Sequence, residues 1–123
     1  MNMDEQDRWL LVCRLDELPE AGARVLQLEG IAPIALFRSG GERVFALRDR
    51  CPHKGGPLSQ GIVSGEHVAC PLHGWLISLE DGQARAPDIG CAVRYPVKVE
   101  DGRVWIVPRA IAVAADALAE AGP

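Results

Sequence analysis

The segment spanning residues 51–73 constrains the fold of this chain more than any other part of it. It holds all three histidines and two of the four cysteines, in the order Cys51-x-His53, sixteen residues, then Cys70-x-x-His73. Thiolate sulfur and imidazole nitrogen are strong ligands for borderline transition metals, so two Cys/His pairs brought together form a four-ligand metal site. Any fold of this chain must therefore bring two separate stretches of backbone to one point.

Most of the remaining sequence has the pattern of short β-strands separated by turns. Apolar runs or apolar–polar alternation, bounded by Gly, Pro, Asp or Ser, are typical of strands. Asp101-Gly102 suits a two-residue type I′ hairpin, because both residues tolerate a positive φ. An all-β protein is predicted. The predicted strands are residues 9–13, 23–28, 34–38, 44–48, 62–63, 68–69, 75–79, 93–100 and 103–107.

The two Cys/His pairs fall on loops. Residues 49–61 are rich in Pro and Gly, and residues 70–74 read C-P-L-H-G. A brief hairpin between them, with its turn at residues 64–66, is predicted to hold the two loops together. A third loop at residues 86–90, A-P-D-I-G, is a candidate lid over both.

Length and patterning predict one domain followed by a short appendage. The domain is expected to span residues 1–108, with a metal-binding subdomain over about residues 49–91. After Pro108 the chain becomes rich in alanine, with apolar residues at helical spacing and a final Gly-Pro. A short C-terminal helix or tail is predicted over residues 109–123.

Composition limits the classes of partner and compartment. A net charge of -4 provides no basic stripe for a phosphate backbone, so nucleic acid is not expected as a partner. The N-terminus lacks a basic and apolar leader, and no apolar run is long enough to span a bilayer. We therefore expect a cytoplasmic chain without a membrane anchor. Cys13 and Cys91 are expected to be free thiols that pack as small hydrophobic residues.

The order of the ligands separates two kinds of metal centre. Zinc sites of the Cys2His2 type usually place two cysteines together and then two histidines, whereas each loop here supplies one residue of each type. A Rieske centre needs that mixed order, because each loop sends its thiolate to one iron and its imidazole to the other. We predict a 2Fe-2S cluster held by Cys51, His53, Cys70 and His73; zinc or an empty structural site is the alternative. His67 is assigned no ligand role.

Two neutral imidazoles in place of two thiolates make the cluster easier to reduce. Rieske potentials span about -150 to +300 mV, against about -400 mV for all-cysteine plant-type clusters. Leu58, Leu72 and Trp75 are apolar, and no hydroxyl directly follows His73. A midpoint toward the lower end of the range is therefore predicted, and a titration that placed it well above zero would contradict this.

The residues around the ligands resemble Rieske 2Fe-2S domains, through C-P-H-K-G-G-P-L at residues 51–58 and C-P-L-H-G-W at residues 70–75. More narrowly, the chain is similar to the small subunits of assimilatory NAD(P)H-dependent nitrite reductases. That similarity includes F-A-L-R-D-R followed by the first loop, L-I-S-L-E-D-G-Q-A after the second, and G-C-A-V-R-Y-P-V-K-V-E-D-G-R-V. It covers roughly residues 9–107.

The resemblance implies a Rieske (ISP-like) antiparallel β sandwich or barrel, with a small cluster-binding subdomain of two loops and the four ligands named above. It implies a large nitrite reductase subunit that carries FAD, an iron–sulfur cluster and sirohaem and reduces nitrite to ammonium with NAD(P)H. This chain would be the small subunit, serving in electron transfer or assembly, with no catalytic residues or substrate site of its own. Respiratory Rieske proteins carry an extra cysteine in each loop; Gly56 and Leu72 stand there, which excludes that class.

Two other interpretations stay open. A free Rieske ferredoxin that delivers electrons to an aromatic-ring dioxygenase would share the loops and the fold, and would differ only in its partner. A non-redox interaction module, holding zinc or no metal, would keep the fold without the colour of an iron–sulfur cluster.

Overall fold

The computed structural model describes residues 8–40, 43–52, 56–71, 74–85 and 90–109. All strand pairs within these ranges are antiparallel, and the helical structure there is limited to single 3₁₀ turns at Leu15–Glu17 and Leu58–Gln60, so the all-β prediction is confirmed. Among the described residues, no helix has the length and apolar character needed to cross a membrane. The strands are β1 (Leu10–Arg14), β2 (Gly22–Leu26), β3 (Ile34–Arg38), β4 (Val44–Arg48), β5 (Ile62–Ser64), β6 (His67–Ala69), β7 (Leu76–Ser78), β8 (Arg94–Tyr95), β9 (Val97–Glu100) and β10 (Arg103–Ile106).

The described residues form three sheets, and the two central strands of the sheet β2-β3-β4-β8 are buried on both faces. The order β2-β3-β4-β8 places β3 and β4 at its centre, and their first four residues are buried in each strand. Alternate side chains point to opposite faces of a strand, so one strand can serve two cores. Ala35, Phe37, Phe45 and Leu47 pack toward the sheet β5-β6-β7, whereas Ile34, Leu36, Val44 and Ala46 pack with residues of the sheet β1-β10-β9. Burial on both faces explains the continuous apolar runs in these strands.

The predicted single strand over residues 93–100 is wrong. The structure divides it at Pro96 into β8, which pairs with β4, and β9, which pairs with β10. Proline has no backbone N–H to donate to a sheet and fixes φ, so a strand is readily interrupted there. The chain uses this break to pass from one sheet to another.

Most other expected strands are confirmed, with small changes at their ends. β3 and β4 have the predicted bounds, whereas the second strand ends at Leu26 rather than at residue 28. Asp101 and Gly102 have φ of 54° and 72°, as the predicted β9–β10 hairpin requires. The tail predicted over residues 109–123 lies outside the described residues except for Arg109.

Candidate metal centre

The two predicted cysteine ligands lie in one core. Cys51 and Cys70 are 1% and 2% exposed, and both belong to the hydrophobic cluster beneath the sheet β5-β6-β7. Their thiols are therefore held away from solvent although each cysteine sits on a loop. The two predicted histidine ligands, His53 and His73, lie outside the described residues. The structure thus brings together the sulfur half of the predicted ligand set.

Both cysteine loops are closed in the same way. The backbone N–H of Cys51 donates to the carbonyl oxygen of Gly56 at 2.7 Å, and the N–H of Cys70 donates to that of Trp75 at 2.8 Å. Each bond joins a cysteine to the residue five positions later and forms a ring around the segment that carries the neighbouring histidine in the sequence. In the second loop, Gly74 donates to the Cys70 carbonyl at 3.1 Å and has φ of 70°, which favours glycine.

The first loop is also anchored where it leaves β4. Arg48 N–H donates to the Val93 carbonyl at 2.7 Å, and Asp49 N–H donates to the Pro33 carbonyl at 2.9 Å. Across the loop, the Asp49 carboxylate accepts from Ser59, with Oδ1 taking the backbone N–H at 2.7 Å and Oδ2 taking the hydroxyl at 2.8 Å. The sequence did not single out this pair.

The sheet β5-β6-β7 connects the two loops and packs against the end of the first. β6 is its middle strand and ends immediately before Cys70, while β5 begins just after the first loop. A methyl group added at Gly61 would stand 2.2 Å from the Ala69 carbonyl oxygen, so the end of the first loop lies directly against β6. The predicted hairpin between the ligand loops is therefore present, and β7 extends it to three strands.

The described end of the third loop touches both cysteine loops. Residues 86–89, the centre of the candidate lid, lie outside the described residues. Gly90 follows them with φ of 157°, and a methyl group there would be 3.1 Å from Pro52 Cβ and 3.7 Å from Trp75 Cζ3. Gly90 thus packs beside both loops, which places the stem of the third loop next to the cysteine pair.

Charged side chains tie the loop region to the central sheet from the outside. Arg43, just before β4, pairs with Glu66 in the β5–β6 turn, and its second nitrogen lies 3.4 Å from Glu80. The Arg43 guanidinium also lies 4.9 Å from the centroid of the Phe45 ring. All three charged side chains are substantially exposed, so their attraction is screened by solvent and salt.

The other cysteines and the remaining histidine have no evident ligand role. All four cysteines are described, and none forms a disulfide, which agrees with the expected free thiols. Burial raises the pKa of the Cys13 and Cys91 thiols, so both remain protonated and weakly nucleophilic near neutral pH. His67 lies half-buried on β6.

The donor set fits a two-iron cluster. The two buried thiols in one core are of the soft type that iron–sulfur centres need, and the sequence predicts one imidazole ligand from each loop. Among the residues in the described ranges, no group of three or more His, Cys, Asp or Glu assembles a metal site.

Comparison with known proteins agrees with this chemistry. The all-β fold and the buried cysteine pair fit an iron–sulfur electron-transfer domain. The chain matches the Rieske 2Fe-2S domain over residues 8–96 and belongs to that family. The cofactor of this electron-transfer protein is a 2Fe-2S cluster.

Individual relatives come from several redox systems. The chain is 40% identical over 99 residues to the 3-phenylpropionate/cinnamic acid dioxygenase ferredoxin subunit of Photorhabdus laumondii, covering 79% of this chain and 91% of that protein. A chain from the complex of reduced oxygenase and oxidized ferredoxin in carbazole 1,9a-dioxygenase superimposes with a TM-score of 0.78 at 27% identity, covering 87% of this chain and 99% of its own. A chain described as the small subunit of an NADPH nitrite reductase superimposes with a TM-score of 0.69 at 31% identity, covering 80% and 97%. Other relatives are longer proteins, and the match to one monooxygenase covers only 23% of that protein's length.

Proposed function

We propose that Cys51, His53, Cys70 and His73 hold the 2Fe-2S cluster and that this chain carries single electrons between two larger redox proteins. The burial of both cysteines in one core supports the thiolate half of this set. The C-x-H and C-x-x-H order supports the imidazole half. When bound, the cluster accepts and returns one electron at a time.

The chain's own residues hold the ligands and exclude water from the sulfur side. Leu58, Val68 and Ile77 are fully buried in the core that contains both cysteines. Burial of this kind lowers the local dielectric and so influences the potential of a metal centre. The cysteine N–H groups are occupied by their own loops, which fixes the backbone that carries each thiolate. On the outer side, Pro52 and Pro71 are exposed directly beside the cysteines, where a partner can approach.

Substitution of the ligands tests this assignment. Cys51→Ser, Cys70→Ser, His53→Ala and His73→Ala should each abolish the visible absorption and the EPR signal of the dithionite-reduced protein. Cys91→Ser is the matched control, since Cys91 is a half-buried thiol assigned no ligand role, and it should retain both signals. A ligand variant with the full wild-type spectrum would remove that residue from the set.

For the partner, we propose the large subunit of an assimilatory NAD(P)H nitrite reductase, which carries FAD, an iron–sulfur cluster and sirohaem. The observation that carries this proposal is the match to a nitrite reductase small subunit over 97% of that chain, together with the sequence phrases around the loops that resemble this subunit family. The substrate, nitrite, would bind and be reduced on the large subunit. This chain would contribute electron transfer.

A second candidate is a free ferredoxin for an aromatic-ring dioxygenase. The 40% identity to a dioxygenase ferredoxin subunit and the similarity to a chain of the carbazole dioxygenase complex support it. Both candidates predict the same cluster and differ only in the acceptor of the electron.

Reconstitution separates the two. A sirohaem nitrite reductase large subunit should reoxidise the reduced chain rapidly. Adding the chain should also increase the rate at which that large subunit reduces nitrite with NAD(P)H. If the large subunit alone reached the full rate, the electron-transfer role in nitrite reduction would be wrong. Rapid reoxidation by a Rieske oxygenase and none by the sirohaem protein would favour the second candidate.

A further inference from the structure

A polar brace closes the base of the first ligand loop. Asp49 precedes the loop and Ser59 follows it, ten residues later. Both oxygens of the Asp49 carboxylate are used, since Oδ1 accepts the Ser59 backbone N–H at 2.7 Å and Oδ2 accepts the Ser59 hydroxyl at 2.8 Å. These bonds surround the inner closure from Cys51 N–H to the Gly56 carbonyl. The loop therefore has an inner backbone closure and an outer side-chain closure.

Each side of the brace is fixed to a different part of the molecule. On the incoming side, Asp49 N–H donates to the Pro33 carbonyl at 2.9 Å, which ties it to the chain leading into β3. On the outgoing side, Leu58 is fully buried in the core that contains both cysteines. The Gly61 N–H donates to the Leu58 carbonyl at 2.9 Å and closes the 3₁₀ turn that contains Ser59. The carboxylate thus links two anchored segments across the mouth of the loop.

We propose that Asp49 and Ser59 are positioning residues for the iron–sulfur centre. The brace fixes the separation between the two ends of the first loop, and with it the position of the backbone that carries Cys51. Ser59 does not ligate the metal; it acts through the loop. This inference rests on the proposed ligand set, because it assigns a role to residues that support two of those ligands.

Charge assistance makes this brace stronger than a hydrogen bond between neutral groups. Asp49 and Ser59 are both partly buried, so water competes only partly for the carboxylate oxygens. Groups that orient metal ligands from outside typically contribute roughly 10- to 100-fold in metal affinity. Loss of the Ser59 hydroxyl leaves the bond to its backbone N–H intact, whereas loss of the Asp49 carboxylate removes both bonds. The two substitutions should therefore differ in severity.

The test measures the cluster in the isolated, cluster-loaded protein. Ser59→Ala is expected to speed the loss of visible absorption in excess chelator by roughly 10-fold, and Asp49→Ala by roughly 100-fold. Ser59→Thr keeps a hydroxyl and should restore most of the wild-type retention. The EPR g-values and the midpoint potential of the Ser59→Ala and Asp49→Asn variants should also shift, since the ligands would no longer be held in one place; a substitution that only lowers global stability would leave both unchanged.

Asp16→Asn is the matched control. Asp16 also accepts a side-chain hydrogen bond, from Arg14 at 2.6 Å, but it lies exposed beside β1, which belongs to another sheet. This variant should retain the cluster as the wild type does. If the Asp49→Ala variant does not load a cluster, the retention of the cluster in Ser59→Ala and Ser59→Thr still tests the brace.

The outcomes separate this inference from the proposed function. A wild-type chain without a Rieske EPR signal would refute the ligand set and the brace together. A wild-type chain with that signal, and Ser59→Ala and Asp49→Asn variants with unchanged retention, g-values and potential, would refute the brace alone.

Discussion

Gly61 occupies a position where even one methyl group does not fit. A Cβ at this residue would lie 2.2 Å from the Ala69 carbonyl oxygen and 2.9 Å from Val68 Cγ2, whereas ordinary van der Waals contact begins at 3.4 Å. Gly61→Ala therefore tests how closely the end of the first ligand loop packs against β6. Either the loop or the strand must move.

The strand cannot move easily. Ala69 is paired on one side with Ile62 of β5 and on the other with Leu76 of β7, so its carbonyl is held between two neighbours. Overpacking in a well-packed region costs about 1–3 kcal/mol, and this site belongs at the upper end because the crowded atom is backbone. A loss of about 3 kcal/mol corresponds to a fall in the melting temperature of roughly 10 °C for a domain of this size.

Thermal unfolding of the cluster-loaded protein, followed by circular dichroism and by visible absorption, measures the effect. Gly40→Ala is the matched control, because no heavy atom of the described residues beyond its chain neighbours lies within 4 Å of a methyl group added at Gly40. It should change stability by less than about 0.5 kcal/mol. Equal melting temperatures for the two variants would refute the argument that Gly61 is required for the close approach of loop and strand.

Three further perturbations test separate parts of the molecule. Gly90→Ala should crowd Pro52, 3.1 Å away, and alter the EPR spectrum of the centre, and an unchanged spectrum would contradict the contact between the third loop and the first. Arg43→Gln removes two exposed ion pairs and the contact with the Phe45 ring, so urea unfolding should show a loss of about 1 kcal/mol that shrinks in high salt; a much larger loss, or one that salt does not reduce, would contradict this. Because burial raises the pKa of Cys13, its thiol ionises in the unfolded chain before it does in the folded one as the pH rises above 9.0. The free energy of unfolding of the wild type should therefore fall in that range. A Cys13→Ala variant whose stability falls equally with pH would contradict this.

The strands of the central sheet were predictable because their sequences carry a strong local signal. β3 and β4 are apolar in four of five positions and end at an arginine, so burial on both faces determines their bounds. The division at Pro96 was missed because apolar residues continue on both sides of the proline. Only the pairing of β8 with β4 and of β9 with β10 shows that the two halves belong to different sheets.

The four ligands were predicted from the spacing of Cys and His in the sequence. The structure adds the burial of the cysteines and the hydrogen bonds around the loops, which the spacing does not encode. The burial of Cys51 and Cys70 in one core follows from how β5, β6 and β7 pack, which is a property of the whole domain. The brace between Asp49 and Ser59 joins two polar residues in a loop, where such residues are common and no periodicity marks a pair. An aspartate before a cysteine loop and a serine after it form the only sequence signal, and it is weak.

The backbone hydrogen bonds that close the two cysteine loops are independent of the hairpin that joins the loops. Each ring is complete within six consecutive residues, 51–56 and 70–75, and uses no atom from the hairpin between them. Of the sixteen residues between the two pairs, residues 54–56 belong to the first ring, and residues 57–69 form the 3₁₀ turn and the hairpin outside both rings. A chain with a longer β5–β6 turn could keep both rings unchanged, so the spacing between the two Cys/His pairs can vary at residues 65–66 without altering either cysteine loop.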